Sequence, residues 1–154
     1  MKKLFLIVTL GLIGNAKAQW VNKVSDNGFD DPYRYAVAYT DDGQNFVKLE
    51  KLTDTSMIVV LYDGYVCEER PLLEFSFKVG NDNDKYEVYA VRSTDKKKAM
   101  TSAVVNTGDF VRSFRLATTM RIRLNDESCG MTIFSFNMAN SSSAITWVMG
   151  DRIR

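Results

Sequence analysis

A mostly-β protein is predicted by this 154-residue chain: one antiparallel β-sandwich or barrel-like domain of about eight or nine strands, with one or two short helices near the C-terminus. Three observations predict it. Short stretches alternate apolar and polar residues with the period of two that half-buried strands require. Gly-, Asp- and Asn-rich turn signals separate them at intervals of about eight to twelve residues. No repeating strand–helix unit of the kind that builds a parallel sheet interrupts the series. The clearest case is 120–138. Met120, Ile122 and Leu124 alternate with Arg121 and Arg123. Asn125-Asp126-Glu127-Ser128 is turn material, and after Cys129 the residues Thr132, Phe134, Phe136 and Met138 share one side.

The chain opens with a predicted signal peptide over 1–18. Lys2 and Lys3 precede an apolar run over 4–13 that is too short to span a bilayer, and Ala16-Lys17-Ala18 fits a small-x-small cleavage site. The mature chain is then a single domain over 19–154, destined for the periplasm or the outside of the cell. Nothing later is apolar and long enough for a transmembrane helix. The leader holds three of the twenty basic residues and none of the nineteen acidic ones, so the mature charge is seventeen against nineteen, or −2. That balance argues against nucleic acid as a partner.

Trp20 and Val21 open a candidate first strand before the turn-like Ser25-Asp26-Asn27-Gly28 and the break at Asp30-Asp31-Pro32. In the strand over 33–40, Tyr33, Tyr35, Val37 and Tyr39 face one side and Arg34, Ala36 and Ala38 the other. Asp41-Asp42-Gly43 is a hairpin turn into a partner strand over 45–52. The run 56–62 is apolar on both sides, as a central strand requires. A short strand is predicted at Tyr65-Val66-Cys67, then a strong amphipathic one in which Leu73, Phe75, Phe77 and Val79 alternate with Glu74, Ser76 and Lys78. The turn Gly80-Asn81-Asp82-Asn83-Asp84 leads to a strand over 85–92, and a weaker strand over 99–105 follows a lysine-rich loop. Residues 110–117 fit a helix capped by Thr107 or Asp109 about as well as they fit a strand. The last element is a serine-capped helix of about two turns that ends at Gly150.

The only cysteines, Cys67 and Cys129, are expected to form one disulfide, which by the chain-entropy estimate stabilises the fold by on the order of 4 kcal/mol. The chain has no histidine. That removes Ser-His-Asp and Cys-His catalysis and most catalytic zinc sites. The sequence points to no cofactor, and an enzyme is not expected. Asp82-Asn83-Asp84 with Glu87 has a calcium-loop look but lacks the spacing and the central glycine. The carboxylates Asp30, Asp31, Asp41, Asp42, Glu68 and Glu69 sit at turns, where pKa values stay ordinary.

Binding is the better expectation, with another protein or an envelope component as partner. Tyr33, Tyr35 and Tyr39 make a candidate recognition surface, the alternative being a sandwich core with hydroxyls at its edge. Arg121 and Arg123, side by side on one strand, are placed to grip an anionic group or else to pair with acids on the neighbouring strand. Lys96, Lys97 and Lys98 form a basic loop. Two other functions are kept open: an inhibitor of a lysozyme or protease acting through the loops Lys96–Lys98 or Glu68–Arg70, and a carboxylate-dependent hydrolase.

The runs Cys129-Gly130, Phe134-Ser135-Phe136-Asn137-Met138 and Ser142-Ser143-Ala144-Ile145 resemble the tail of small exported β-sandwich proteins related to type VI secretion accessory proteins and invasion-associated locus B proteins. In those, an aromatic last strand runs into a Gly-Ser-x-x-Ala-Leu/Ile-like helix. Phe110, Phe114 and the strand Met120–Leu124 sit where that pattern places them, whereas Ala139-Asn140 replaces an expected glycine. The resemblance implies the sandwich fold and an exported, non-enzymatic accessory role. It identifies no site residues.

Overall fold

The computed structural model describes residues 19–25 and 32–150. The predicted leader over 1–18, the turn 26–31 with Asp30 and Asp31, and residues 151–154 lie outside the described residues. Ten strands form two antiparallel sheets. The first sheet has six strands: β1 (Val21–Ser25), β2 (Tyr33–Tyr39), β3 (Phe46–Thr53), β4 (Ser56–Tyr62), β8 (Lys98–Thr101) and β7 (Val91–Arg92), in that spatial order. The second has four: β10 (Gly130–Asn137), β9 (Thr119–Asp126), β5 (Leu72–Val79) and β6 (Asp82–Tyr89). Among the described residues the sheets stay separate and no barrel closes.

The inner face of the four-stranded sheet follows from strict alternation. Leu73, Phe75 and Phe77 on β5, Met120, Ile122 and Leu124 on β9, and Phe134 and Phe136 on β10 are all buried. Their registers put Phe77, Met120 and Phe136 in one row and Phe75, Ile122 and Phe134 in the next. The helix α1 (Gly108–Leu116) lies against β5, with Phe110 edge-on to Phe75 and Phe77 at 5.3 and 5.1 Å. Thr107 caps it by accepting from the Phe110 amide, so the helical reading of this segment prevails over the strand. At the other end of the stack Trp20 sits 5.0 Å from Phe114 and donates its indole N–H to the Met138 sulfur.

The six-stranded sheet is built the other way round. Its inner face on β2 carries Ala36 and Ala38, both fully buried, beside Arg34, and the two small side chains let the helix α2 (Ser141–Met149) approach β2 and β3 closely. Ile145 and Val148 fill the space above them, and Arg34 stacks on the Trp147 ring at 4.5 Å where β2 runs under the helix.

Several local expectations need correction. The stretch Tyr65-Val66-Cys67 is not a strand; it is a connection held by an Asp126 carboxylate and by the Lys96 carbonyl. The supposed strand 85–92 is two strands in different sheets. Ala90 is fully buried at the crossover and donates its amide to Pro71, so β6 and β7 part there. Asp82, Asn83 and Asp84 belong to β6 rather than to a turn, because a two-residue turn suffices once Gly80 adopts a positive φ of 59°. An oxygen-lined calcium loop is thereby removed. The weak strand 99–105 shrinks to β8, four residues long. The final helix is not serine-capped: Asn140 occupies the cap position at φ 65° with no side-chain capping bond, and the serines lie within the first turn.

Candidate functional site

On β2 the inward positions are alanines, so the tyrosines face outward. Tyr33, Tyr35 and Tyr39 all stand on the outer face of the six-stranded sheet, half-buried to exposed, and not in a sandwich core. The register extends them into a larger surface. Tyr39 pairs with Phe46, Phe46 with Tyr62, and Tyr62 with Lys98. The Phe46 and Tyr62 rings stack at 4.9 Å with planes 3° apart, and Tyr39 tilts onto Phe46 at 5.9 Å. The next row across the sheet is Val21, Val37, Lys48, Val60, Met100 and Val91, in which Val37 and Val60 are buried and Val21 and Val91 exposed. Neither helix covers this side, because α2 lies on the opposite, alanine-lined face.

Two lysines on this face lie against its rings. Lys23 lies over Tyr39 at 5.8 Å and Lys48 over Tyr35 at 5.4 Å, each a cation against a ring face. Lys48 also pairs with Glu50, its neighbour two residues on. The lysine loop closes one end of the aromatic row. Ser93 and Lys98 exchange backbone and hydroxyl hydrogen bonds, Asp95 accepts from the Lys97 amide at 3.1 Å, and Lys96 takes a positive φ of 57°. The Lys96 and Lys97 carbonyls accept from the Val66 and Asp63 amides, so the turn is folded back onto 63–66. Hydrogen bonds from Ser93 and the Lys97 amide hold Asp95 below the usual carboxylate range.

Arg121 and Arg123 are elsewhere. They point from β9 to the outer side of the four-stranded sheet, away from the tyrosines. Arg123 donates to Glu74 on β5 at 2.7 Å, and Asn125 donates to the other oxygen of the same carboxylate at 2.7 Å. The pairing with a neighbouring acid is therefore realised for Arg123. Arg121 shares a row with Ser76, Lys85 and Ser135. Arg121, Ser76 and Lys85 border a concavity of about 530 Å³ that Glu74 and Glu87 also line.

The Cys67–Cys129 disulfide is formed, with Cα atoms 5.8 Å apart, and joins the 63–71 connection to the start of β10. Asp126, almost fully buried at the end of β9, ties the same two segments: its carboxylate accepts from the amides of Cys67 at 2.6 Å, Glu68 at 3.4 Å and Cys129 at 3.3 Å. Both sulfurs and this carboxylate lie within 4.8 Å of one another, but sulfurs bonded to each other are not thiolate ligands for a metal. Burial and the nearby Asp126 charge push the Asp63 carboxyl up to about 6.

The other candidate acids are scattered. Asp41 and Asp42 occupy the β2–β3 turn, where bonds from Thr40 and the Gln44 amide hold Asp42 below its ordinary value. Glu68 accepts from Ser128, and the Glu69 carbonyl accepts from the Arg92 amide. Among the described residues, Asp41 and Asp42 share one turn and Glu68 and Glu69 lie in the connection before β5. Phe46, Tyr62, Asp63 and Asp126 are the residues that the linear reading passes over. Continuing the β2–β3 register through the Asp41-Asp42-Gly43 turn would have placed Phe46 opposite Tyr39. Nothing local marks Asp126, because its role depends on a segment 59 residues earlier in the chain.

No protein-family model matches the chain, and no curated protein matches it. Among solved structures, invasion associated protein B from Bartonella henselae superposes on 86% of this chain and 92% of its own with a TM-score of 0.58, at 8% sequence identity. The two proteins share a fold, the one that the C-terminal resemblance implied.

Proposed function

We propose that this is an exported, non-catalytic binding protein that holds a protein partner of the cell envelope against the outer face of its six-stranded sheet. The observation that carries the reading is the row Tyr39, Phe46, Tyr62 and Lys98, flanked by Tyr33 and Tyr35, on a sheet face that neither helix covers. Tyrosine and phenylalanine supply large contact area at small entropic cost, and a rim of lysines orients the partner. Solvated sheet faces are ordinarily polar; this one sets Tyr33, Tyr35, Tyr39, Phe46 and Tyr62 among its lysines. Export is supported by the leader-like first eighteen residues and by a disulfide in a chain with no other cysteine. An accessory role fits the fold shared with a protein described as invasion associated. The absence of histidine and the dispersal of the acids support a non-enzymatic role. The inhibitor alternative needs a loop free to enter an active site, and both candidate loops are instead hydrogen-bonded back onto 63–66, Asp126 and Arg92.

The test is affinity capture from envelope extract with the wild type and with Tyr33→Ser/Tyr39→Ser. Each tyrosine is partly exposed and gives up one ring contact, so unfolding should shift by about 1–2 kcal/mol with the fold kept, while the captured partner should be lost. Equal capture by both proteins would refute the assignment.

A further inference from the structure

The four-stranded sheet ends in β10, which among the described residues has a neighbouring strand on one side only. Exposed edge strands are normally blunted by charge, proline, a bulge or shortness. The other free edges follow that rule: β6 carries Asp82, Asp84, Lys85 and Glu87, β1 is five residues with Lys23 on it, and β7 is two residues long. Strand β10 follows none of it. Its eight residues, Gly-Met-Thr-Ile-Phe-Ser-Phe-Asn, hold no charge and no proline, and the pairing with β9 runs without a bulge from Gly130 to Asn137. Its first half is bare: Met131 is 61% exposed and Ile133 53% exposed, and Thr132 between them is exposed too.

We infer that β10 is a self-association edge, on which a second copy of this chain adds its own β10 antiparallel to extend the sheet from four strands to eight across a two-fold axis. The occupant is a second copy because this strand is complementary to itself. An axis at Thr132 sets Met131 opposite Ile133 of the partner copy on the outer face, and Thr132 opposite its own copy on the inner face. It sets Gly130 opposite Phe134, whose ring stays in its own core, so no two bulky side chains meet at that position. Apolar and hydroxyl cross-strand pairs of this kind stabilise antiparallel ladders. An isologous contact of this sort closes at two subunits. A charged edge paired with itself in the same way would set like charges close together; an uncharged one carries no such cost. The inference does not rest on the aromatic face, which lies on the other sheet.

The test is a sedimentation series on the full mature chain from low micromolar to near-millimolar concentration, with wild type, Met131→Lys/Ile133→Lys, and Tyr33→Ser/Tyr39→Ser. Both β10 substitutions sit at solvent-exposed positions, and circular dichroism verifies the fold. The expected result is a concentration-dependent dimer for the wild type and the tyrosine variant, and a monomer at all concentrations for the lysine variant. A wild type that stays monomeric throughout overturns the inference, as does a lysine variant that dimerises equally well. Loss of the dimer in the tyrosine variant alone moves the self-contact to the aromatic face, overturning this inference and the partner reading of that face together.

Discussion

Asp126 and Asp63 show how one short connection is held down and at what electrostatic cost. The disulfide fixes Cys67 to Cys129, but a covalent tether leaves the backbone amides of 67, 68 and 129 in need of acceptors. The Asp126 carboxylate supplies them. Burial takes the Asp63 carboxyl partly out of water, and the Asp126 charge beside it adds to the effect, so it is pushed up to about 6. The sign follows. Below about pH 4 the Asp63 carboxyl is protonated whether the chain is folded or not, and it costs nothing. Between pH 4 and pH 6 the unfolded chain releases the proton more readily, so the group's contribution to stability falls as pH rises and is fully lost above 6. Asp63→Asn should therefore raise stability at pH 7.5 by about 1 kcal/mol, discounted for its partial exposure, and change it little at pH 4. Urea melts at the two pH values check this; an equal effect at both would contradict it.

At the level of elements, β2 decides the architecture. Its alternation was readable in the sequence, and so were its two faces. Which face looked inward was not readable, because three tyrosines and a valine are ordinarily the better core. Ala36 and Ala38 win because α2, more than a hundred residues later, needs a shallow surface to lie on. Ala36→Leu should push against α2 and cost about 1–3 kcal/mol in thermal or urea unfolding; a neutral outcome would mean that the helix is not seated there. The inner faces of β5 and β9 in the second sheet were legible, since Leu73, Phe75 and Phe77 on β5 and Met120, Ile122 and Leu124 on β9 are buried as their spacing dictates; Asn125 and Asp126, read as turn, extend β9 instead. The failures came where local pattern gives way to tertiary demand. Ala90 looks like the middle of a strand and is the point where the chain changes sheets. Asn140, not the serine run, takes the cap of α2, because the sharp turn out of β10 needs a left-handed residue.

For the whole molecule, the two sheets present opposite outer surfaces of different chemistry. The four-stranded sheet shows a polar, partly ion-paired surface with Arg121, Arg123, Lys85 and Glu74. The six-stranded sheet shows aromatic rings bordered by lysines. Tyr33, Tyr35, Tyr39 and Lys98 thus come together although they are far apart in the chain, while the arginines that looked equally promising stand on the far side. Composition alone pointed to a surplus of tyrosine; only the register of β2, β3, β4 and β8 makes that surplus a surface. Among the described residues no helix is long and apolar enough to cross a membrane.

The most direct measurement is photo-crosslinking in living cells with a reactive residue placed at position 39, on the aromatic row, or at position 78, exposed on the other sheet. The account predicts a discrete crosslinked envelope protein from position 39 and none from position 78. The same product from both positions, or a product only from position 78, would contradict it.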